Sequence, residues 1–270
     1  HQPGQVEYAM TMKTVDIVQS RMGSTRFPNK VMQPICGTPM IGHLLERLSQ
    51  ARRINQIVLA TSSDPRNEPL AQYVQRLGFE VYWGSEDDVL DRYYQAAKKA
   101  GADVVMRITG DCPLIDPGLV DAVIGLFEEK GVDYASNTMP PTYPDGLDTE
   151  VFTFEALEIA WNQANDPRLR EHVTPYIRES GHFARTNLAY ETDNSAERWT
   201  VDEPEDFEVI RNVFEHFSPR GDFSWLEVLA LRQERPELFA ANRHLIRNEG
   251  LRLGTGQKLW KRAKRVIPGG

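Results

Sequence analysis

Apolar residues recur along this chain with two distinct periods, and the alternation between them divides its first half into short units. Val15, Ile17 and Val18 form a brief apolar run that reads as a strand. Ile41, Leu44, Leu45 and Leu48 then fall at i, i+3, i+4 and i+7, which predicts a helix over residues 39–52. A strand at 56–61 follows, then a helix at 68–77 with Leu70, Val74 and Leu77 inward and Gly78 as its stop. The pattern repeats as a strand at 79–83, a helix at 88–100 ended by Gly101, and a strand at 103–109. Asp116 is placed to cap a further helix, with Pro117 at its first position and Gly131 closing it. Repeated strand–helix units of this kind predict an α/β fold with a mainly parallel sheet covered by helices on both faces.

The second half is less regular. Pro140, Pro141, Pro144 and Gly146 make residues 137–148 a long loop. A strand is expected at 150–154, helices near 155–164 and 168–180, and strands near 184–190 and 198–201. Phe207, Val213, Phe214 and Phe217 mark a helix over 203–217. After Gly250 the composition shifts: residues 251–270 hold lysine and arginine but no acid. The organisation expected is an extension or tag at 1–11, one catalytic domain at 12–250, and a linker with the start of something else at 251–270.

Composition narrows the class. The 270 residues suit one large α/β domain, and a formal net charge of −8 argues against a broad nucleic-acid surface. Two cysteines, Cys36 and Cys112, make neither a disulfide framework nor a zinc pattern, which fits a reducing cytoplasm. No apolar run is long enough to span a membrane, and the N-terminus lacks the apolar core of a signal peptide.

Polar chemistry concentrates where predicted strands end, which is where open α/β sheets bind ligands. The first strand runs into Gln19-Ser20-Arg21, then Gly23, Ser24, Arg26 and Lys30. Fixed cations, hydroxyls and a glycine directly after a strand suit phosphate. Neither GxxxxGK[ST] nor GxGxxG is present. Thr61 and Ser62 stand at the end of the strand IVLAT, where hydroxyls either cap a helix or supply donors and acceptors to a ligand. Gly84 and Ser85 open the acidic turn before the helix at 88–100. In MRITGDCPLID, Arg107 and Thr109 lead to Asp111, a carboxylate at a strand tip beside a glycine, suited to magnesium shared with phosphate oxygens. In RWTVDEPED, Asp202 reads as a helix cap or as a second carboxylate of this kind. Asp148 and Glu150, two apart at a strand entrance, are expected on one face, where like charges call for a cation or a donor-rich ligand.

The stretch DIVQSRMGSTRFPNKVM resembles the signature loop of the cytidylyltransferases, close to ARxxSxRLPGK, and in particular the spore-coat polysaccharide branch. The likeness continues through GSEDDVLDRY, MRITGDCPLID, PDGLDTEVF, EHVTP and RWTVDEPED, to about residue 247. Trp83 stands where that family usually has an arginine before GSEDD. The resemblance implies a Rossmann-like nucleotidyltransferase sandwich of the GT-A type and a homodimer. It assigns Arg21, Arg26 and Lys30 to the triphosphate of CTP, with Gln19, Ser20, Gly23 and Ser24 beside the nucleotide. It places Thr61 and Ser62 near base and ribose, and Gly84, Ser85, Arg107 and Thr109 with the nucleotide-binding set. Asp111 and Asp202 become the magnesium ligands, and Asn137, Asp148 and Glu150 the acceptor region.

The reaction implied is transfer of CMP from CTP to a small acceptor, a sugar or another hydroxyl- or phosphate-bearing molecule, with pyrophosphate released. Another nucleotidyltransferase or a nucleotide-sugar glycosyltransferase on the same fold is an alternative, although DPRN, DCP and DTE only approximate a DxD metal motif. A non-catalytic nucleotide-binding module is a third. Residues 258–270, KLWKRAKRVIPGG, resemble the opening of class III aminotransferases of the glutamate-1-semialdehyde aminomutase type, which implies a fused aminotransferase domain.

Overall fold

The computed structural model describes residues 11–247. Its elements run β1 (Thr14–Gln19), β2 (Pro34–Ile35), β3 (Thr38–Pro39), α1 (Met40–Leu48), β4 (Gln56–Ser62), α2 (Glu68–Arg76), β5 (Glu80–Gly84), α3 (Val89–Ala100), β6 (Val104–Thr109) and α4 (Pro117–Lys130). They continue with β7 (Tyr134–Ser136), β8 (Glu150–Thr153), α5 (Phe154–Gln163), α6 (Pro167–Glu171), α7 (Pro175–Glu179), β9 (Arg185–Asn187), α8 (Pro204–Phe217) and α9 (Trp225–Glu234). Seven strands form one sheet in the order β5-β4-β1-β6-β8-β7-β9, and β2 pairs with β3 as a separate small hairpin.

Strands β5, β4, β1 and β6 are mutually parallel, as the strand–helix alternation predicts. β8 runs antiparallel to both β6 and β7. The chain reaches β8 from β7 through the proline-rich loop, with no crossover helix to restore the parallel direction. The sheet separates two cores. On one face α1, α2, α4, α8 and α9 pack around Leu44, Leu70, Ile124, Val213 and Val228. On the other, α3, α5 and α7 pack around Leu90, Tyr93, Leu157 and Ile177. Among the described residues no helix is long and apolar enough to cross a membrane.

Several sequence expectations are corrected. The helix expected over 168–180 is two short ones. Val173 between them has φ +69, and Pro175 cannot donate the backbone hydrogen bond that would continue the first. Residues 198–201 are not a strand; only Arg198 makes a bridge, to Asp145. β7, β9's narrow extent and α9 are not legible in the periodicity. The N-terminal extension and the aminotransferase-like tail lie outside the described residues.

One core position breaks the apolar pattern. Asp16, in the middle of β1, is fully buried between Ile57 and Met106 of its neighbours, and neither carboxylate oxygen has a hydrogen-bond partner. Burial holds its carboxyl well above the ordinary range. The native state therefore binds this proton more tightly than the unfolded chain. Its contribution makes stability fall as pH rises through and above the ordinary carboxylate range, until the native group ionises. Urea unfolding between pH 5 and 8 should show Asp16→Asn losing this component, with a slope difference of up to about 1.4 kcal/mol per pH unit. Parallel curves for the two proteins would mean that Asp16 is not held neutral.

Candidate active site

The first loop is built to present its cations inward. β1 ends at Gln19, whose carbonyl accepts from the Gly110 N–H at 2.8 Å, while Ser20 donates to the Ala60 carbonyl at 3.2 Å. These bonds bring the ends of β1, β4 and β6 together. Gly110 permits the approach, because a Cβ there would lie 2.5 Å from Ser20 Oγ. The Met22 N–H donates to Asn67 Oδ1 at 2.7 Å, and Asn67 in turn donates to Ser62 Oγ at 2.7 Å. Asn29 takes φ +58 where the resembling signature has glycine, and asparagine is the side chain that tolerates this conformation best. Phe27 packs edge-on against Phe207 of α8, with ring centroids 5.6 Å apart, which fixes the residues on either side of it.

Lys30 and Arg26 converge on the two predicted metal carboxylates. Lys30 Nζ donates to the Val201 carbonyl at 2.6 Å and lies 3.3 Å from Asp202 Oδ1 and 3.8 Å from Asp111 Oδ2. Arg26 reaches Asp202 Oδ1 at 3.2 Å and Glu203 Oε1 at 3.5 Å. Burial pushes the Asp111 carboxyl up, but the Lys30 charge and the Thr109 and Cys112 donors outweigh it and leave it below its ordinary value. The backbone couples the two acids as well: the Val201 N–H donates to the Asp111 carbonyl at 2.8 Å.

Behind Asp202 stands an arginine that the sequence reading did not single out. Arg198 forms a two-pronged pair with the fully buried Asp206 at 2.8 and 2.9 Å, and reaches Asp202 Oδ2 at 3.3 Å. Asp206 Oδ2 also accepts from the N–H groups of Asp202 and Glu203, which closes the start of α8. Arg198 lies 3.9 Å from Asp145, whose carboxyl burial and the Asp148 charge push up to about 7. No periodic or spacing signal marks this cluster; it forms because Gly146, at φ +111, lets the Asp145 loop lie against the backbone of Trp199 and Thr200. A Cβ at Gly146 would come within 2.6 Å of the Trp199 carbonyl carbon.

Other predicted residues make their contacts outside this cluster. Arg21 is half exposed and pairs with Glu86 at 2.5 Å. Arg107 does not open toward phosphate. It donates to Gln19 Oε1 at 3.1 Å and to Glu150 Oε2 at 2.6 Å. Glu150 is buried and also accepts from Tyr134 at 2.7 Å and Thr174 at 2.6 Å. Burial raises its carboxyl, yet Arg107, Arg178 and these hydroxyls hold it below its ordinary value. Glu150 and Asp148 therefore do not share an open face: Glu150 belongs to the wall beneath the site, and the EHVTP stretch contributes Thr174 to that wall. Asn137 is likewise buried, donating to the Leu147 carbonyl and accepting from the Thr149 N–H. Asp148 remains partly exposed and is paired with Arg247 at 2.6 Å.

Ser20, Thr61 and Ser62, expected beside the nucleoside, are all buried, with Ser20 Oγ, Thr61 Oγ1 and Glu86 Oε2 lacking hydrogen-bond partners. Ser62 Oγ is taken by Asn67. The Gly84–Ser85 turn is tied down by Arg92, which donates to the carbonyls of Ser85 at 2.9 Å and Glu86 at 3.1 Å. Gly23 and Ser24 lie in the loop, with Ser24 Oγ accepting from the Phe27 N–H. Among the described residues no group of three or more metal-ligating side chains is assembled. Two carboxylates converging on a lysine ammonium nonetheless suit magnesium, which takes one or two carboxylates and completes its shell with substrate oxygens.

A mainly parallel sheet that gathers cations and carboxylates near its strand ends has the arrangement of a nucleotidyltransferase-type site. The chain belongs to the cytidylyltransferase family, whose sequence profile matches residues 15–242, and it is thereby a CTP-dependent nucleotidyltransferase. It is 33% identical over 229 residues to the spore coat polysaccharide biosynthesis protein SpsF of Bacillus subtilis, covering 82% of this chain and 94% of that one. A cytidylyltransferase structure from Leptospira borgpetersenii superposes with a TM-score of 0.81 at 31% identity, over 85% of this chain and 97% of the other. The 3-deoxy-manno-octulosonate cytidylyltransferase of Geobacter sulfurreducens is 36% identical over 121 residues, spanning 44% of this chain and 47% of its own.

Proposed function

We propose that this protein transfers CMP from CTP to a hydroxyl of a sugar or related small acceptor, in the synthesis of a surface polysaccharide or glycoconjugate, with magnesium as cofactor. The observation that carries the reading is the meeting of Lys30 with Asp111 and Asp202, and of Arg26 with Asp202, where the loop after β1, the end of β6 and the start of α8 come together. The relatives named for spore coat polysaccharide and 3-deoxy-manno-octulosonate support the acceptor class.

The acceptor hydroxyl oxygen attacks the α-phosphorus opposite the departing pyrophosphate: a new P–O bond forms, the P–O bond to the β-phosphate breaks with its electron pair leaving on pyrophosphate, and the hydroxyl proton passes to solvent. This requires positioning and charge neutralisation rather than a protein nucleophile. Arg26 and Lys30 neutralise the phosphates that leave, and Ser20, Thr61 and Ser62 line the nucleoside. Asp111 and Asp202 would hold magnesium, which when bound supplies charge neutralisation at the phosphoryl oxygens. Arg198 keeps Asp202 oriented, and the buried Arg107–Glu150 pair keeps the end of β6 rigid.

Pyrophosphate release measured with each of the four ribonucleoside triphosphates, across a panel of sugars, sugar acids and amino sugars, tests the proposal. CTP with a hydroxylated acceptor should give a CMP-linked product by mass, with ATP and GTP at least about tenfold slower, a ratio that a few lost base hydrogen bonds can supply. Pyrophosphate release with ATP or GTP equal to that with CTP, or a product lacking CMP, would refute it.

A further inference from the structure

Arg247 lies beyond the stretch matched to the family, yet its guanidinium reaches the acceptor side of the site. It donates to Asp148 Oδ1 at 2.6 Å and to the Tyr143 carbonyl at 3.3 Å. The segment that delivers it is anchored at two earlier points. Asn242 donates to the Arg198 carbonyl at 3.0 Å and to Asp206 Oδ1 at 2.9 Å. The Ile246 carbonyl accepts from Arg198 at 3.3 Å. The arginine that orients Asp202 therefore also fixes the approach of Arg247, and the site's two sides share one support.

The pairing changes what Asp148 can recognise. Taken from sequence alone, an acid at the acceptor side invites an ammonium. Here its charge is already balanced. An amino group would have to displace Arg247, whose side chain is only 14% exposed, and an unpaired charge that is mostly buried is costly. A carboxylate approaching Arg247 would meet Asp148. Asp148 is 39% exposed, with one oxygen engaged by Arg247, while the guanidinium has five N–H donors and uses two on the contacts above. Side by side, the pair sets the partly exposed carboxylate's remaining lone pairs next to guanidinium N–H groups not spent on those two contacts. A vicinal diol matches that arrangement, donating from one hydroxyl and accepting at the other, without net charge.

We propose that Asp148 and Arg247 together bind a vicinal diol of the acceptor, so that Arg247 is an acceptor-binding residue supplied from outside the family-matched stretch. The proposal rests on the cytidylyl-transfer reading. Its test uses the full chain with magnesium and CTP. The acceptor panel contains matched compounds: a vicinal diol, the same compound with one of the two hydroxyls removed, and the same compound with that hydroxyl replaced by an amine. CTP binding is measured separately by calorimetry without acceptor. Wild type should turn over diols in preference to both analogues. Arg247→Gln and Asp148→Asn should each raise the KM for the preferred diol about tenfold or more, with the KM for CTP within about twofold, since two charge-assisted contacts are involved. Arg247→Lys should recover part of the loss, because it restores the charge but not the planar fork. Preference for the amine, turnover on none of the diols, or an unchanged diol KM in either variant would overturn the pair's role. A KM for CTP that rises in step with that for the diol would overturn it too, assigning the pair to structure. Failure of wild type to bind CTP would instead overturn the cytidylyl reading and the pair with it.

Discussion

Replacing Asp111 or Asp202 by alanine is expected to lower magnesium-dependent pyrophosphate release by about a thousandfold or more, the scale of losing a charge-stabilising group at a reacting phosphate. In the proposed reaction each substitution would remove one of two hard oxygen ligands, leaving a site that cannot share a cation with the triphosphate in the same way. Neither aspartate is a core residue: their side chains are 27% and 21% exposed, and the fold around them is held by main-chain bonds and by Arg198–Asp206. The far-ultraviolet circular dichroism and the cooperative thermal transition should therefore be retained in both variants. Pyrophosphate release that persists in both, at wild-type magnesium dependence, would remove these residues from the reaction.

Lys30→Ala should separate the phosphates from the nucleoside. Its ammonium sits between Asp111 and Asp202 and is anchored by the Val201 carbonyl, so the substitution deletes the cation nearest both acids. In the proposed reaction that cation would face the phosphates beyond the first. Calorimetry in magnesium buffer should show CTP affinity falling about ten- to a hundredfold, with CMP affinity changing less than about threefold, in keeping with the loss of charge-assisted contacts to the leaving group. Equal losses for the two nucleotides would instead make Lys30 a counter-ion for the carboxylates alone.

Much of this architecture is legible in the sequence where local rules and tertiary packing agree. The helix of Ile41, Leu44, Leu45 and Leu48 exists because one stripe of it is apolar, and the Asp116–Pro117 start and Gly131 stop of α4 act within a turn of themselves. The loop carrying Arg26 and Lys30 is legible as a polar cluster because it follows directly on a strand, and the structure brings those two cations to Asp111 and Asp202. Legibility ends where long-range partners decide. Glu150 looks like an open acid until Arg107, Tyr134 and Thr174 are seen to enclose it. Arg198 looks like a strand residue, yet its geometry is set by Asp206, eight positions on, and by Asn242. The break at Val173 depends on a left-handed backbone that no apolar period encodes. Arg247 follows no motif at all, and only its contact with Asp148, ninety-nine positions earlier, gives it a place.

The main-chain hydrogen bond from the Val201 N–H to the Asp111 carbonyl has a consequence for how such a site can diverge. The spacing of the two carboxylates is set there by main chain on main chain, with the Gly146 loop wedged behind it, while Arg198 orients the Asp202 side chain. Under the proposed reading that span belongs to the topology, whereas Asp148 and Arg247, joined by their side chains at the rim, can change with the acceptor while the frame stays as it is.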